Sequence, residues 1–171
     1  KGVKQLTDML KKDKTNNLFS RVHYGHFDYS ADAKLWPFPD PYHNYFWELI
    51  TPIVKQLAAY KKSYVHTPFP FPQDESLFWE SAYHLSLIEP DLEVWACTVN
   101  AGLSLLAQPK KISQIEIKTY NFSKEQRIAE AVKIQEHFMA GRSIKRSFGV
   151  KENRFIPPHQ YVIAKNYLKN N

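Results

Sequence analysis

From Val94 to Pro109 the chain runs through sixteen residues without one charge. On a helix of that sequence Leu92, Trp95, Val99, Leu103 and Leu106 share one side, and Val94, Cys97, Ala101 and Leu105 share another. A helix apolar on two sides is buried on two sides. The spacing therefore predicts a central core helix over 92–106, with Glu93 as its only charge. The chain has 171 residues, a length that suits one domain built around such a helix.

The neighbouring segments are helical too. Val3, Leu6, Met9 and Leu10 recur at helical spacing in a lysine-rich opening segment. Asp40 followed by Pro41 reads as an N-cap and first turn. The stripe of Phe46, Leu49, Ile50, Ile53, Val54, Leu57 and Tyr64 then passes through Pro52 without changing phase, which predicts one helix kinked at the proline. Asp74 is expected to cap a helix reaching Ile88. Ser123 and Gln126 form a capping-box pattern, opening a helix with Ile128, Ala131, Val132, Phe138 and Met139 inward and Gly141 at its end.

Extended structure has fewer signals. Ile115-Glu-Ile-Lys-Thr alternates and is the clearest strand; residues 19–29 read as a weaker one. Trp36-Pro-Phe-Pro-Asp-Pro and Thr67-Pro-Phe-Pro-Phe-Pro should be extended, because proline removes donors and disfavours helix before it. Their rings predict segments pinned by burial. The fold class is mainly α: a compact helical domain over 1–171, with one or two short strands and extended Pro-aromatic segments.

Charge is unevenly placed. Residues 1–109 hold 10 Lys/Arg against 12 Asp/Glu, and residues 110–171 hold 13 against 5. Such asymmetry speaks of partners rather than of fold. In the basic C-terminal third, Arg142, Lys145, Arg146, Lys151 and Arg154 are interleaved with aromatic residues and are expected to share an exposed face. Lysine and arginine neutralise phosphates, and aromatic rings stack on bases. Arg142-Ser-Ile-Lys-Arg-Ser, following a helix end, resembles the second half of a helix-turn-helix but is short for a recognition helix.

Catalytic patterns are sparse. His23, His26 and Asp28 are the densest set of metal-ligand types, suited to zinc or ferrous iron, with a further ligand to come from His66, His84 or His159. His26 and Asp28 would share one face of a strand. Glu80 and His84 are spaced to face each other on a helix, as a structural salt link or the start of a general-base pair. Cys97 sits mid-helix without a basic neighbour and reads as an inert thiol. With only five glycines, the chain shows no phosphate-cradling loop.

The leading expectation is a non-catalytic binding or assembly module without a cofactor. Its basic third would dock an anionic partner, nucleic acid ahead of an acidic protein surface. The alternatives are a constitutive protein-interaction subunit of a larger complex, with the Pro-aromatic segments as contact arms, and a small metal-dependent enzyme using His23, His26 and Asp28. No run approaches the ~20 apolar residues of a membrane helix, and no signal peptide is visible behind Lys1-Gly-Val-Lys. A single cysteine is compatible with any compartment.

Overall fold

The first helix, α1 (Gly2–Asn16), is followed by strand β1 (Arg21–His23) and the short helix α2 (His26–Asp32). Next come α3 (Asn44–Ala59), β2 (Ser63–Val65), α4 (Glu75–Ser86) and the two-residue β3 (Leu92–Glu93). The C-terminal third contributes α5 (Lys124–Gly141), the strands β4 (Gly149–Lys151) and β5 (Arg154–Ile156), and α6 (Pro158–Lys169). These elements come from a computed structural model that describes residues 2–16, 19–66, 71, 74–89, 92–93, 112, 114–141, 149–151 and 154–171. The expected core helix over 92–106, and Cys97 within it, lies outside them except at Leu92 and Glu93, which form a strand rather than a helical turn.

The architecture is mainly α, as the apolar periodicities indicated, and each strand is two or three residues long. β1, β2 and β3 form one parallel sheet in sequence order, with Val22 opposite Tyr64 and Tyr64 opposite Leu92. Helices carry the chain back between the strands, as parallel pairing requires. β4 and β5 form a separate antiparallel hairpin.

Local chemistry sets the helix ends. Asp74 caps α4 by accepting from the Leu77 amide at 3.0 Å. Ser123 and Gln126 make the reciprocal capping box at the start of α5, with the Ser123 amide on Gln126 Oε1 at 2.8 Å and the Gln126 amide on Ser123 Oγ at 3.3 Å. At α3 the start is later than Asp40-Pro41 implied. The Asp40 carboxylate accepts from the Tyr42 amide at 3.0 Å and closes a turn, and the helix begins at Asn44. α3 continues through Pro52, which lies on its exposed side, while Phe46, Trp47, Ile50, Val54 and Leu57 are buried. The proline has no N–H to donate to the Glu48 carbonyl, and Glu48 too is exposed, so water can donate to that carbonyl instead.

Two apolar clusters organise the packing. The first joins Leu10 of α1, the buried stripe of α3, Tyr64 of β2, Leu77 and Leu85 of α4, and Ile115. It is pinned underneath by a buried ion pair, Lys62 Nζ to Asp13 Oδ2 at 2.6 Å. The second joins Phe27, Trp36 and Phe38 to Ala131, Ile134 and Phe138 of α5, Ile156 of β5 and Ala164 of α6. Phe138 stacks on Tyr161 of α6 with ring centroids 4.4 Å apart.

Several sequence expectations shift here. Residues 26–32 are helical, not part of a strand. The segment 115–119 makes a single parallel bridge, between Lys118 and His43, instead of a strand. Its alternation does put Ile115 inside, but Ile117 is exposed. On α5 Val132 and Met139 point outward, and Ile134 is the buried residue instead. The Pro-aromatic segment at 36–41 is pinned as expected. Trp36 and Phe38 are buried, the Trp36 indole donates to the Arg127 carbonyl at 3.0 Å, and the Arg127 guanidinium donates to the Trp36 carbonyl. Of the second such segment, Phe71 is described and packs beside Tyr42.

Candidate functional site

Parallel βα arrangements gather functional side chains at the carboxyl ends of their strands, because the loops there follow every strand and point the same way. In this chain β1 ends at His23 and runs into Tyr24-Gly25-His26, and β2 ends at Val65 and runs into His66. The Tyr24 amide donates to the Val65 carbonyl at 3.3 Å, which extends the pairing of β1 and β2 by one residue and brings the two loops side by side.

His26 begins α2 and is buried between the two apolar clusters. Its ring centroid lies 4.1 Å from Phe27 of the second cluster and 5.4 Å from Phe46 of the first, edge-on to the latter. Burial, then the nearby imidazoles of His66 and His159, push its pKa down to about 3. His66 is also buried, and that burial lowers its pKa to about 4. The ring of Phe46 stands edge-on to His66 as well, at 5.8 Å. Both imidazoles are therefore neutral at physiological pH, and each can donate through one nitrogen and accept through the other. His66 Nδ1 is engaged by the Tyr64 hydroxyl at 2.9 Å.

Around this pair stand Tyr24, Asp28 and His159. Burial raises the Tyr24 hydroxyl well above its ordinary value, helped by Tyr29 and Tyr45. His159, second residue of α6, is lowered by burial, and Asp28 opposes that shift. Asp28 itself is exposed, with its carboxylate folded back over Gly25. A Cβ on Gly25 would lie 2.7 Å from Asp28 Oδ2, so the glycine leaves the room that this carboxylate occupies.

The candidate metal set of the enzyme alternative does not assemble. His23 and Asp28 are exposed while His26 is buried. Because His26 and Asp28 are on a helix, their spacing of two does not give them a common face. Among the described residues no group of three His, Cys, Asp or Glu side chains is arranged to hold a metal ion. Glu80 and His84 do not face each other either. Glu80 accepts from Ser76 Oγ at 3.0 Å, and the His84 ring lies 4.3 Å from that of Trp47. Of the basic residues, Arg142, Lys145 and Arg146 are outside the described residues. Lys151 and Arg154 are opposed in the β4–β5 hairpin. No helix among the described residues is long and apolar enough to cross a membrane.

From the sequence, His66 stood out only as an optional further ligand, and Tyr64 was expected on the apolar stripe of α3; the helix ends at Ala59 and Tyr64 lies on β2 instead. The available signal was Tyr64-Val-His66, two polar rings at strand spacing with an apolar residue between them.

No family model matches this chain, and no curated protein matches it. Among solved structures it is similar to the malate synthase of Haloferax volcanii in its ternary complex with pyruvate and acetyl-CoA. The TM-score is 0.54 at 19% identity, over 88% of this chain and 44% of that one, so this chain spans less than half the length of the protein it matches. At that identity the likeness is one of fold. It nonetheless corrects the expectation of a non-catalytic binding module with a basic docking third, because the protein of similar fold is an enzyme, a malate synthase. The charge asymmetry behind that expectation could not reveal a site made by parallel strands three residues long.

Proposed function

We propose that this chain forms the strand-end face of an acid–base enzyme acting on a small oxo acid. One observation carries the reading: two uncharged imidazoles, His26 and His66, flank the Phe46 ring where the neighbouring parallel strands β1 and β2 end. Neutral imidazole in a site shielded from water can donate to a carbonyl oxygen as charge develops there. Such a donor helps a carbon next to the carbonyl to lose or gain a proton. Asp28 and His159 are the groups beside it suited to exchange that proton, one an exposed carboxylate and the other an imidazole within its electrostatic reach. Pyruvate, the oxo acid in the malate synthase complex of similar fold, is the probe of choice.

The test is pyruvate titration of the ¹⁵N-labelled chain, followed at the histidine rings by NMR. Pyruvate should shift His66 and His26 in a saturable way, and His66→Ala should weaken binding by roughly tenfold or more, the loss of one well-made hydrogen bond to a charged ligand. Ring signals that stay put at millimolar pyruvate would overturn the proposal.

A further inference from the structure

We infer that Tyr64 is a positioning residue that locks His66 into the tautomer with its proton on Nε2, so that the ring offers the oxo acid's carbonyl oxygen a donor rather than a base. The clause about the carbonyl rests on the function proposed above; the lock itself does not.

Tyr64 is fully buried, and a buried phenol O–H needs an acceptor. His66 Nδ1 lies 2.9 Å from it. Tyr64 precedes His66 by two residues along β2 and its extension, so the two side chains emerge on one side and meet without any bend of the chain. No other hydrogen bond engages the Tyr64 hydroxyl among the described residues. The reverse arrangement, with Nδ1–H donating to the hydroxyl oxygen, would leave the phenol proton buried without a partner, which folded proteins avoid.

Accepting that proton leaves Nδ1 bare. An uncharged imidazole carries one proton, which is then on Nε2. Burial keeps the imidazole uncharged, and burial likewise raises the phenol, so neither partner ionises near neutral pH. Nε2 makes no hydrogen bond to the described residues. The ring thus has one nitrogen committed to the fold and one left for a ligand.

Nitrogen-detected NMR of the labelled 171-residue chain at pH 7 reads the tautomer directly. The expected pattern is an unprotonated Nδ1 and a protonated Nε2 on His66. Tyr64→Phe, which keeps the packing but removes the hydroxyl, should abolish the single-tautomer pattern and give an averaged one. A protonated Nδ1 in the unaltered protein overturns the inference, as does a Tyr64→Phe pattern identical to it. Should Tyr64→Phe fail to fold, the measurement on the unaltered protein decides alone. If the tautomer is as expected but pyruvate leaves the ring signals unmoved, the lock stands and the oxo-acid reading falls.

Discussion

Replacing Lys62 with Met should be among the most damaging single changes available outside the apolar clusters. Lys62 Nζ lies 2.6 Å from Asp13 Oδ2, and the two side chains are only 7% and 2% exposed. The same ammonium donates to the Phe19 carbonyl at 2.6 Å and sits 4.9 Å from the Phe19 ring centre. At 2.6 Å the gross attraction is about 6 kcal/mol for an effective dielectric of 20. Much of that offsets the several kcal/mol needed to take each ion out of water. The net value of the pair is therefore small, but removing one partner exposes the whole cost of the other. Lys62→Met should destabilise by ~3–5 kcal/mol, since it takes the neutralising cation from a carboxylate buried between α1 and the start of β2. The double replacement Asp13→Leu with Lys62→Met removes both charges together and should recover most of that loss. Urea denaturation at pH 7, with the two singles and the double, measures this. A Lys62→Met cost below about 1 kcal/mol would refute the reasoning, because pairs exposed to solvent behave in that way. A double variant no better than the single would refute it equally.

Other outcomes follow from the site and the caps. His26 and His66 are held uncharged, with folded-state values near 3 and 4 against an ordinary 6.5, so the unfolded chain binds more protons between those limits. Stability is full above about pH 6.5 and falls as the pH drops toward 4; His26→Phe should flatten that fall in acid-dependent urea midpoints, and an unchanged slope would count against it. Gly25→Ala should force the Asp28 carboxylate aside, since the new Cβ would meet Oδ2 at 2.7 Å. The His159 titration, which Asp28 holds up, should then move to lower pH by NMR. Ser123→Ala removes half of the capping box of α5 and should cost ~1 kcal/mol in thermal or urea unfolding.

The helices were legible in the chain because their signals are local. Asp74 before Leu77, and Ser123 before Gln126, place donors and acceptors within one turn of each other. The stripe from Phe46 to Leu57 repeats with the helical period over its whole length. The parallel strands carry no comparable mark. Tyr64 and Val65 are both buried, so β2 shows no alternation, and three residues are too few to establish a period. The alternation that does exist, at Ile115-Glu-Ile-Lys-Thr, belongs to a segment that meets a turn at His43 rather than another strand. The site was hidden for a related reason. His26 and His66 are neighbours only because β1 and β2 pair, and that pairing closes a loop of about forty residues. Reading 19–29 as extended therefore caught β1 and missed the turn into α2, which is the step that buries His26.

The two apolar clusters also set an order of events. The first draws on residues between Leu6 and Ile115, so nearly all its members leave a ribosome before the C-terminal third is made. The second pairs Phe27, Trp36 and Phe38 with Ala131 through Leu168, partners roughly a hundred residues further on. Until α5 and α6 emerge, Phe27, Trp36 and Phe38 lack the cover that those two helices give them. Exposed apolar surface of that kind is what makes incomplete chains stick to one another. Chains halted before Ala131 should bind hydrophobic dyes and holdase chaperones, and chains extended past Leu168 should not; equal binding by both would mean that the early half shelters those rings itself.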